Sequence, residues 1–245
     1  MSDAGEIALL AAIGFLGALV FGITGFGAAL VTIPLATHLV PLKFALALFS
    51  VSDLAMALAI GFENPRNALR AEWTRLVPMI VAGTVVGVTV LVNLPRQAGM
   101  AALGFFVLSF AAYSFARPHA RNPISAAWSW IAGFAGGITS TLFGAGGPPY
   151  AIYLSQRGLS KEQFRATLGF ATLTSISLRV AAFLLTGLLL ELEVWIAAAA
   201  VVPAAIAGIA LARRVYLRVS REALLRAVSV VLLASGGSLV WRSLG

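Results

Sequence analysis

The stretch LFGAGGPPYAIYL, from Leu142 to Leu154, sets three glycines and two prolines into an otherwise apolar run. About 120 residues earlier, GITGFGAALVTIP, from Gly22 to Pro34, shows the same pattern of a glycine-broken apolar segment with a proline shortly after the break. A helix interrupted inside a membrane exposes backbone N–H and C=O groups that lipid cannot satisfy. Such breaks persist only where they are buried in protein or line an aqueous site. Two of them at matching positions in two halves point to the substrate site of a transporter.

The chain around these breaks has 245 residues, 60% of them hydrophobic and only 11% charged, with a mean hydropathy of +0.96. Soluble domains carry roughly 25% charged residues. Apolar runs of about 18 or more residues recur along the chain, which is the signature of membrane spans. The expected fold is therefore all-α and polytopic, with the lipid bilayer as its solvent. A net charge of +8 would suggest nucleic acid in a soluble chain. Here the basic residues sit in short loops between spans, where excess Lys and Arg marks the cytoplasmic face, so nucleic acid is not an expected partner. The chain has no cysteine, which excludes disulfides and thiolate metal sites. The acidic opening MSDAGEIALL has no basic n-region and does not resemble a cleaved signal peptide.

Six segments read as ordinary spans: Phe44–Phe62, Leu76–Leu94, Gln97–Phe115, Ala166–Leu190, Val194–Ala212 and Ala223–Val240. The broken segments lie ahead of each set of three. Ile7–Phe21 and Ala28–Leu39 flank the first break, and Trp128–Leu142 and Pro149–Gln156 flank the second. At 1.5 Å per residue, these arms are expected to fall short of the ~30 Å core. Each broken segment is then either one kinked span or a re-entrant hairpin. Loop charges favour the hairpin. If all eight segments cross, the basic residues split ten against six. With two hairpins, thirteen share a face and only Lys43, Arg96 and Arg242 lie opposite. That arrangement puts both termini on the periplasmic side and makes the halves inverted repeats, 1–122 and 123–245, each a broken segment (7–39, 128–156) plus three spans.

The repeat has further support. Pro78 to Gly83 (PMIVAG) matches Pro203 to Gly208 (PAAIAG) at an offset of 125, and Arg96 matches Arg221. The breaks align near an offset of 119, placing Gly25 and Gly27 over Gly144 and Gly146.

The candidate site gathers at the breaks: Thr24, Gly25 and Gly27 in the first half, and Ser140, Thr141, Gly144, Gly146, Gly147, Pro148 and Tyr150 in the second. Helix N-termini carry partial positive charge and bind anions. Two of them meeting near midplane, with hydroxyls beside them, suit a small oxyanion. Among residues buried within the ordinary spans only Asp53 and Arg179 are charged, and they fall 126 residues apart at similar places in the two halves. Intramembrane charges are functional candidates. Arg179 is expected to bind the anion and Asp53 to pair with it or carry the coupling ion, unless the two form a purely structural ion pair. Arg165 ends its span and either snorkels or lines a vestibule. Trp73, Trp128, Trp130, Trp195 and Trp241 near span ends read as an aromatic belt. No nucleophile–base motif, nucleotide loop or metal cluster appears, so neither enzymatic activity, a cofactor nor ATP-driven transport is expected.

The early GFG followed by Pro34, and GAGGPPYAIYL followed by RGLSKEQFRATLGF, resemble the TauE/SafE family of sulfite-exporter-like permeases. The likeness covers nearly the whole chain. It implies secondary transport of small sulfur-containing or organic anions such as sulfite, sulfonates, sulfoacetate or thiosulfate, across a bacterial inner membrane. The transport is expected to be driven by a proton or sodium gradient. Asp53 and Arg179 stand on the residues alone. The rival readings are a passive anion channel with the same pore and a membrane scaffold, and a homo-oligomer is compatible with each. Gly146→Leu is expected to abolish transport in a folded protein.

Overall fold

A computed structural model describes residues 4–61, 65–116, 124–215, 233, 236–239 and 241. Among them the chain is helical throughout, without strands: α1 (Ala4–Thr24), α2 (Ala28–Ala36), α3 (Leu42–Gly61), α4 (Arg70–Asn93), α5 (Arg96–Ala116), α6 (Trp128–Phe143), α7 (Gly147–Ser155), α8 (Lys161–Leu185) and α9 (Leu192–Val215), with a short 3-10 turn at Pro65–Asn67. Five of these, α1, α3, α4, α8 and α9, are long and apolar enough to cross a membrane. The expected span Ala223–Val240 lies almost wholly outside the described residues; Gly236, within it, packs on Leu108 of α5.

Both broken segments fold back on themselves. α2 returns along α1, where a Cβ at Gly17 would lie 2.3 Å from the Thr32 side chain. α7 returns along α6, with the Tyr150 ring laid on Gly136 so closely that a Cβ there would approach it to 2.1 Å. The ends of the first hairpin meet on one face of the bundle, where Glu6, Val40 and Lys43 line a common cavity with Glu191 and Glu193. The ends of the second meet on the other face, where the Ile124 N–H donates to the Gln156 carbonyl and Arg157 donates to the Ile124 carbonyl at 2.6 Å. α4 joins the two faces. It starts where the Leu69 N–H donates to Thr167 and ends where Lys43 Nζ donates to the Val92 carbonyl.

One length expectation fails. α1 is not a 15-residue arm but a helix of 21 residues, about 31 Å long and sufficient to cross alone. It continues through Gly22 and stops only after Thr24, where Gly25 takes a left-handed φ of 81° and its N–H closes on the Phe21 carbonyl. α8 also begins earlier than the apolar run suggests. Ser160 and Gln163 form a reciprocal capping box that starts the helix at Lys161, and Gly187 at a φ of 84° follows its end. α4 likewise reaches back to Arg70.

The long helices pack in a crossed pattern: α1 lies along α9, α6 along α4, and α3 against α8 between them. Without a hydrophobic force between helices in lipid, close approach through small residues drives such packing. A Cβ at Gly83 would sit 2.2 Å from the Phe134 carbonyl oxygen, and one at Gly208 would sit 2.6 Å from that of Phe15. These two contacts interchange under the offsets of 125 and 119. Large apolar side chains such as Phe105, Leu185 and Ile196 face outward, as lipid contact requires. Trp128, Trp130, Trp195 and Trp241 are exposed as a belt demands. Trp73 is not part of it: its indole donates to Thr174 at 3.0 Å and its ring packs on Phe170, tying α4 to α8.

The hairpin geometry predicts a labelling pattern in this cysteine-free chain. Cysteines at Arg70 and Lys161 should react with an impermeant maleimide from one side of intact vesicles, and a cysteine at Lys43 from the other. Opposite accessibility of the first two would mean that the broken segments cross.

Candidate anion site at the paired helix breaks

Glycine sets the geometry of both breaks. Gly144 ends α6 with a φ of 72°, its N–H bonding the Ser140 carbonyl at 2.9 Å while the Ala145 N–H reaches Thr139. This double closure satisfies carbonyls that a cut helix would leave open. Gly27, with a φ of 91°, precedes α2 and leads the chain into its first turn. Gly25 and Gly144 thus share the left-handed conformation that their alignment suggests, whereas Gly146 is right-handed at a φ of −74° and does not match Gly27.

The starts of α2 and α7 face the same small central cavity. Gly27, Ala28 and Ala29 line it from one hairpin, and Ser140, Gly144, Gly146 and Gly147 from the other. Pro148 and Pro149 enter the first turn of α7, so two of its four unpaired N-terminal donors are absent by covalent structure. The cavity holds about 20 Å³, room for roughly one water-sized molecule. That space is smaller than a sulfur oxyanion.

Asp53 of α3 also lines the cavity and is bound by Arg179 of α8, Nη2 to Oδ2 at 2.7 Å. Both side chains are buried, Arg179 with 1% of its surface exposed. The other guanidinium branch, Nη1, donates to the Ser140 carbonyl at 3.1 Å, placing a cation on the C-terminal end of α6, where the helix dipole favours it. Arg179 comes so close to Gly144 that a Cβ there would lie 3.1 Å from Nη1. Asp53 Oδ1 and Arg179 Nε are buried without a protein hydrogen-bond partner.

Other expected residues are distributed differently. Thr24 and Gly25 do not line the central cavity; because α1 runs past Gly22, they line a separate outer cavity with Lys161 and Arg165. Thr141 is buried and donates to the Gly137 carbonyl, beside Gly87 of α4. The Tyr150 hydroxyl donates to Ser175 at 3.0 Å, so it braces the cavity wall rather than lining it. Pro148 is buried at the start of α7 without lining either cavity. Gly146 is packed, not spare: a Cβ would stand 2.8 Å from the Gly136 carbonyl oxygen and 2.9 Å from Ser140. Gly146→Leu would therefore break the hairpin itself, contrary to the expectation of a folded, inactive protein.

Sequence reading missed Thr172 and Ser175, which line the cavity from α8; Thr172 Oγ1 is another buried hydroxyl without a protein partner. Their spacing of seven and four residues before Arg179 was the available signal, since it puts them on the same helix face. It also missed a polar cluster on the second face. There Glu72, at the start of α4, accepts from Arg157 at 2.9 Å, from Arg75 at 3.0 Å and from the Tyr153 hydroxyl.

Against known proteins, a family model described as sulfite exporter TauE/SafE matches residues 10–239. The chain belongs to the TauE/SafE family. No curated protein and no solved structure matches it. TauE/SafE proteins are membrane permeases rather than enzymes. This TauE/SafE chain is accordingly a multi-pass membrane transporter of sulfur-containing anions, and glycines of both breaks line one cavity together with Asp53 of the buried ion pair.

Removing one partner of a buried ion pair strands the other charge, at a cost of about 3–5 kcal/mol. Arg179→Ala and Asp53→Ala should each lower stability by that order in detergent denaturation. Asp53→Asn combined with Arg179→Gln should recover more than half of the loss. Additive losses in the double variant would show that the two side chains do not act as a pair.

Proposed function

We propose that this protein is a secondary transporter that binds a small sulfur-containing or organic anion, of the sulfite or sulfonate type, between the starts of α2 and α7. The observation that carries this reading is the convergence of two helix N-termini, Asp53 and the unpartnered hydroxyl of Thr172 on one small cavity, with Arg179 held beside it by Asp53 and the Ser140 carbonyl. Asp53 holds Arg179 when no anion is bound. An arriving anion competes for the guanidinium, and the displaced carboxylate would be a buried, uncompensated charge costing several kcal/mol. A proton taken up by Asp53 removes that charge without needing space, so anion and proton move together. The two halves act as inverted repeats that rock about the α3–α8 contact, each hairpin moving with the helix it packs on. The exchange of Gly83–Phe134 for Gly208–Phe15 under the two offsets supports that symmetry. A space this narrow at the centre favours alternating access over an open channel.

Arg66, Arg70, Arg75, Arg157, Lys161 and Arg165 lie on the face where the second hairpin ends, which we assign to the cytoplasm of a bacterial inner membrane, with the N-terminal side periplasmic.

Proteoliposomes containing only this protein test the reading. Sulfite uptake should saturate, show counterflow, and be driven by an inward proton gradient but not by sodium. Asp53→Asn should retain sulfite exchange yet lose acceleration by the proton gradient. Unsaturable conductive flux would establish a channel, and no anion flux at all would leave only a structural role.

A further inference from the structure

A much larger cavity lies apart from the central one. It measures about 390 Å³ and lies at the face carrying the second hairpin's ends. Lys161 and Arg165, both exposed and one turn apart at the start of α8, supply its charge. Thr24 and Gly25, at the end of α1, supply polar edge. Leu154, Phe164 and Leu168 form its apolar wall. Cations are disfavoured in the first turn of a helix, where the dipole is already positive. Lys161 stands in that turn beside Glu162 and Arg165 follows one turn later, so the cavity lining carries two cationic side chains and no carboxylate. The nearby Glu162 does not line the cavity and accepts from the Ser160 hydroxyl instead.

The outer cavity is aligned with the inner one. Lys161, Arg165, Leu168, Thr172, Ser175 and Arg179 follow one another at alternating spacings of four and three, which keeps all six on one face of α8. The first three line the outer cavity, Thr172 and Ser175 line the central one, and Arg179 closes the series at Asp53. Leu168, only 2% exposed, is the last outer side chain before the first inner hydroxyl.

We propose that the outer cavity is a loading site, in which a small oxyanion is captured in hydrated form by Lys161 and Arg165. From there it passes along α8, beyond Leu168, into the central cavity. This rests on the reading that the central cavity holds the anion. The outer site is wide and wet, so it binds through screened charge, raises the local anion concentration and leaves dehydration to the narrow inner site. Its apolar wall accommodates a short organic substituent beside the charged group.

The double variant Lys161→Gln/Arg165→Gln tests the proposal, since both positions are exposed and the fold does not depend on burying them. In vesicles of uncharged lipid, the sulfite concentration giving half-maximal uptake should rise about tenfold, with the maximal rate within about twofold of wild type. Raising salt from about 0.05 M to about 0.5 M shortens the screening length roughly threefold and should erase the difference. Sulfite and ethanesulfonate should each raise the melting temperature of wild type in neutral detergent at low salt more than that of the double variant. An unchanged half-saturation together with unchanged thermal shifts would overturn the loading site. So would a response to phosphatidylglycerol alone, with none to free anions, because the cavity would then hold a lipid headgroup. Thr172→Val separates this from the central reading, since it should lower the maximal rate while leaving the salt-sensitive half-saturation in place. If Thr172→Val and Arg179→Lys both leave uptake intact while the double variant shifts it, the central site falls and the loading site stands.

Discussion

Backbone polarity inside lipid is the constraint from which the rest of this structure follows. Two apolar segments are broken where the chain turns back, and each break would leave several N–H and C=O groups without partners. The cuts are closed locally by left-handed glycines at Gly25 and Gly144, whose N–H groups bond back to Phe21 and Ser140. The opposite hairpin packs over the second cut, with Ala29 and Ile33 on Gly144 and Phe26 on Gly147, and Arg179 adds a second donor to the Ser140 carbonyl. The close helix contacts at Gly83, Gly133, Gly137 and Gly208 bring the hairpins near enough for this packing.

That arrangement explains why an ion pair sits at the centre rather than at the edge. Asp53 and Arg179 join α3 to α8, the helices at the middle of the crossed packing. A buried pair adds little stability over an apolar isostere and is costly to break singly. In the transport cycle proposed above, its value would lie in linking the relative position of the two halves to the charge state of one carboxylate. A guanidinium held either by Asp53 or by a substrate would then give the two halves two different reasons to meet.

Much of this was legible in the residues. Gly-Ala-Gly-Gly-Pro-Pro cannot continue a helix, so the place of the break was plain. Asp53 and Arg179 stood out because charges within spans are rare, and their spacing foretold their meeting. The end of α1 was not legible: nothing in Phe-Gly-Ile-Thr-Gly-Phe-Gly says which glycine stops the helix, and that choice moves Thr24 and Gly25 into a different cavity. Thr172 and Ser175 were hidden because hydroxyls are common in spans, and only packing shows which ones meet a cavity. The start of α8 was written in Ser160 and Gln163, but a polar stretch between apolar runs reads as a loop until its capping bonds are seen.

The Glu72 cluster breaks the match between the halves. At the offsets of 125 and 119, Glu72 corresponds to Ala197 and Tyr153 to Pro34, and neither replacement can form the hydrogen bonds that fasten the second hairpin to α4. The second hairpin therefore carries a polar latch that the first lacks. Under the rocking proposed above, two halves related by a two-fold axis with identical hairpins would rest equally in either orientation. A latch on one side only would give the idle protein a preferred resting state, and the two directions of movement would begin from unequal waiting times even though the gradients alone decide the net flow.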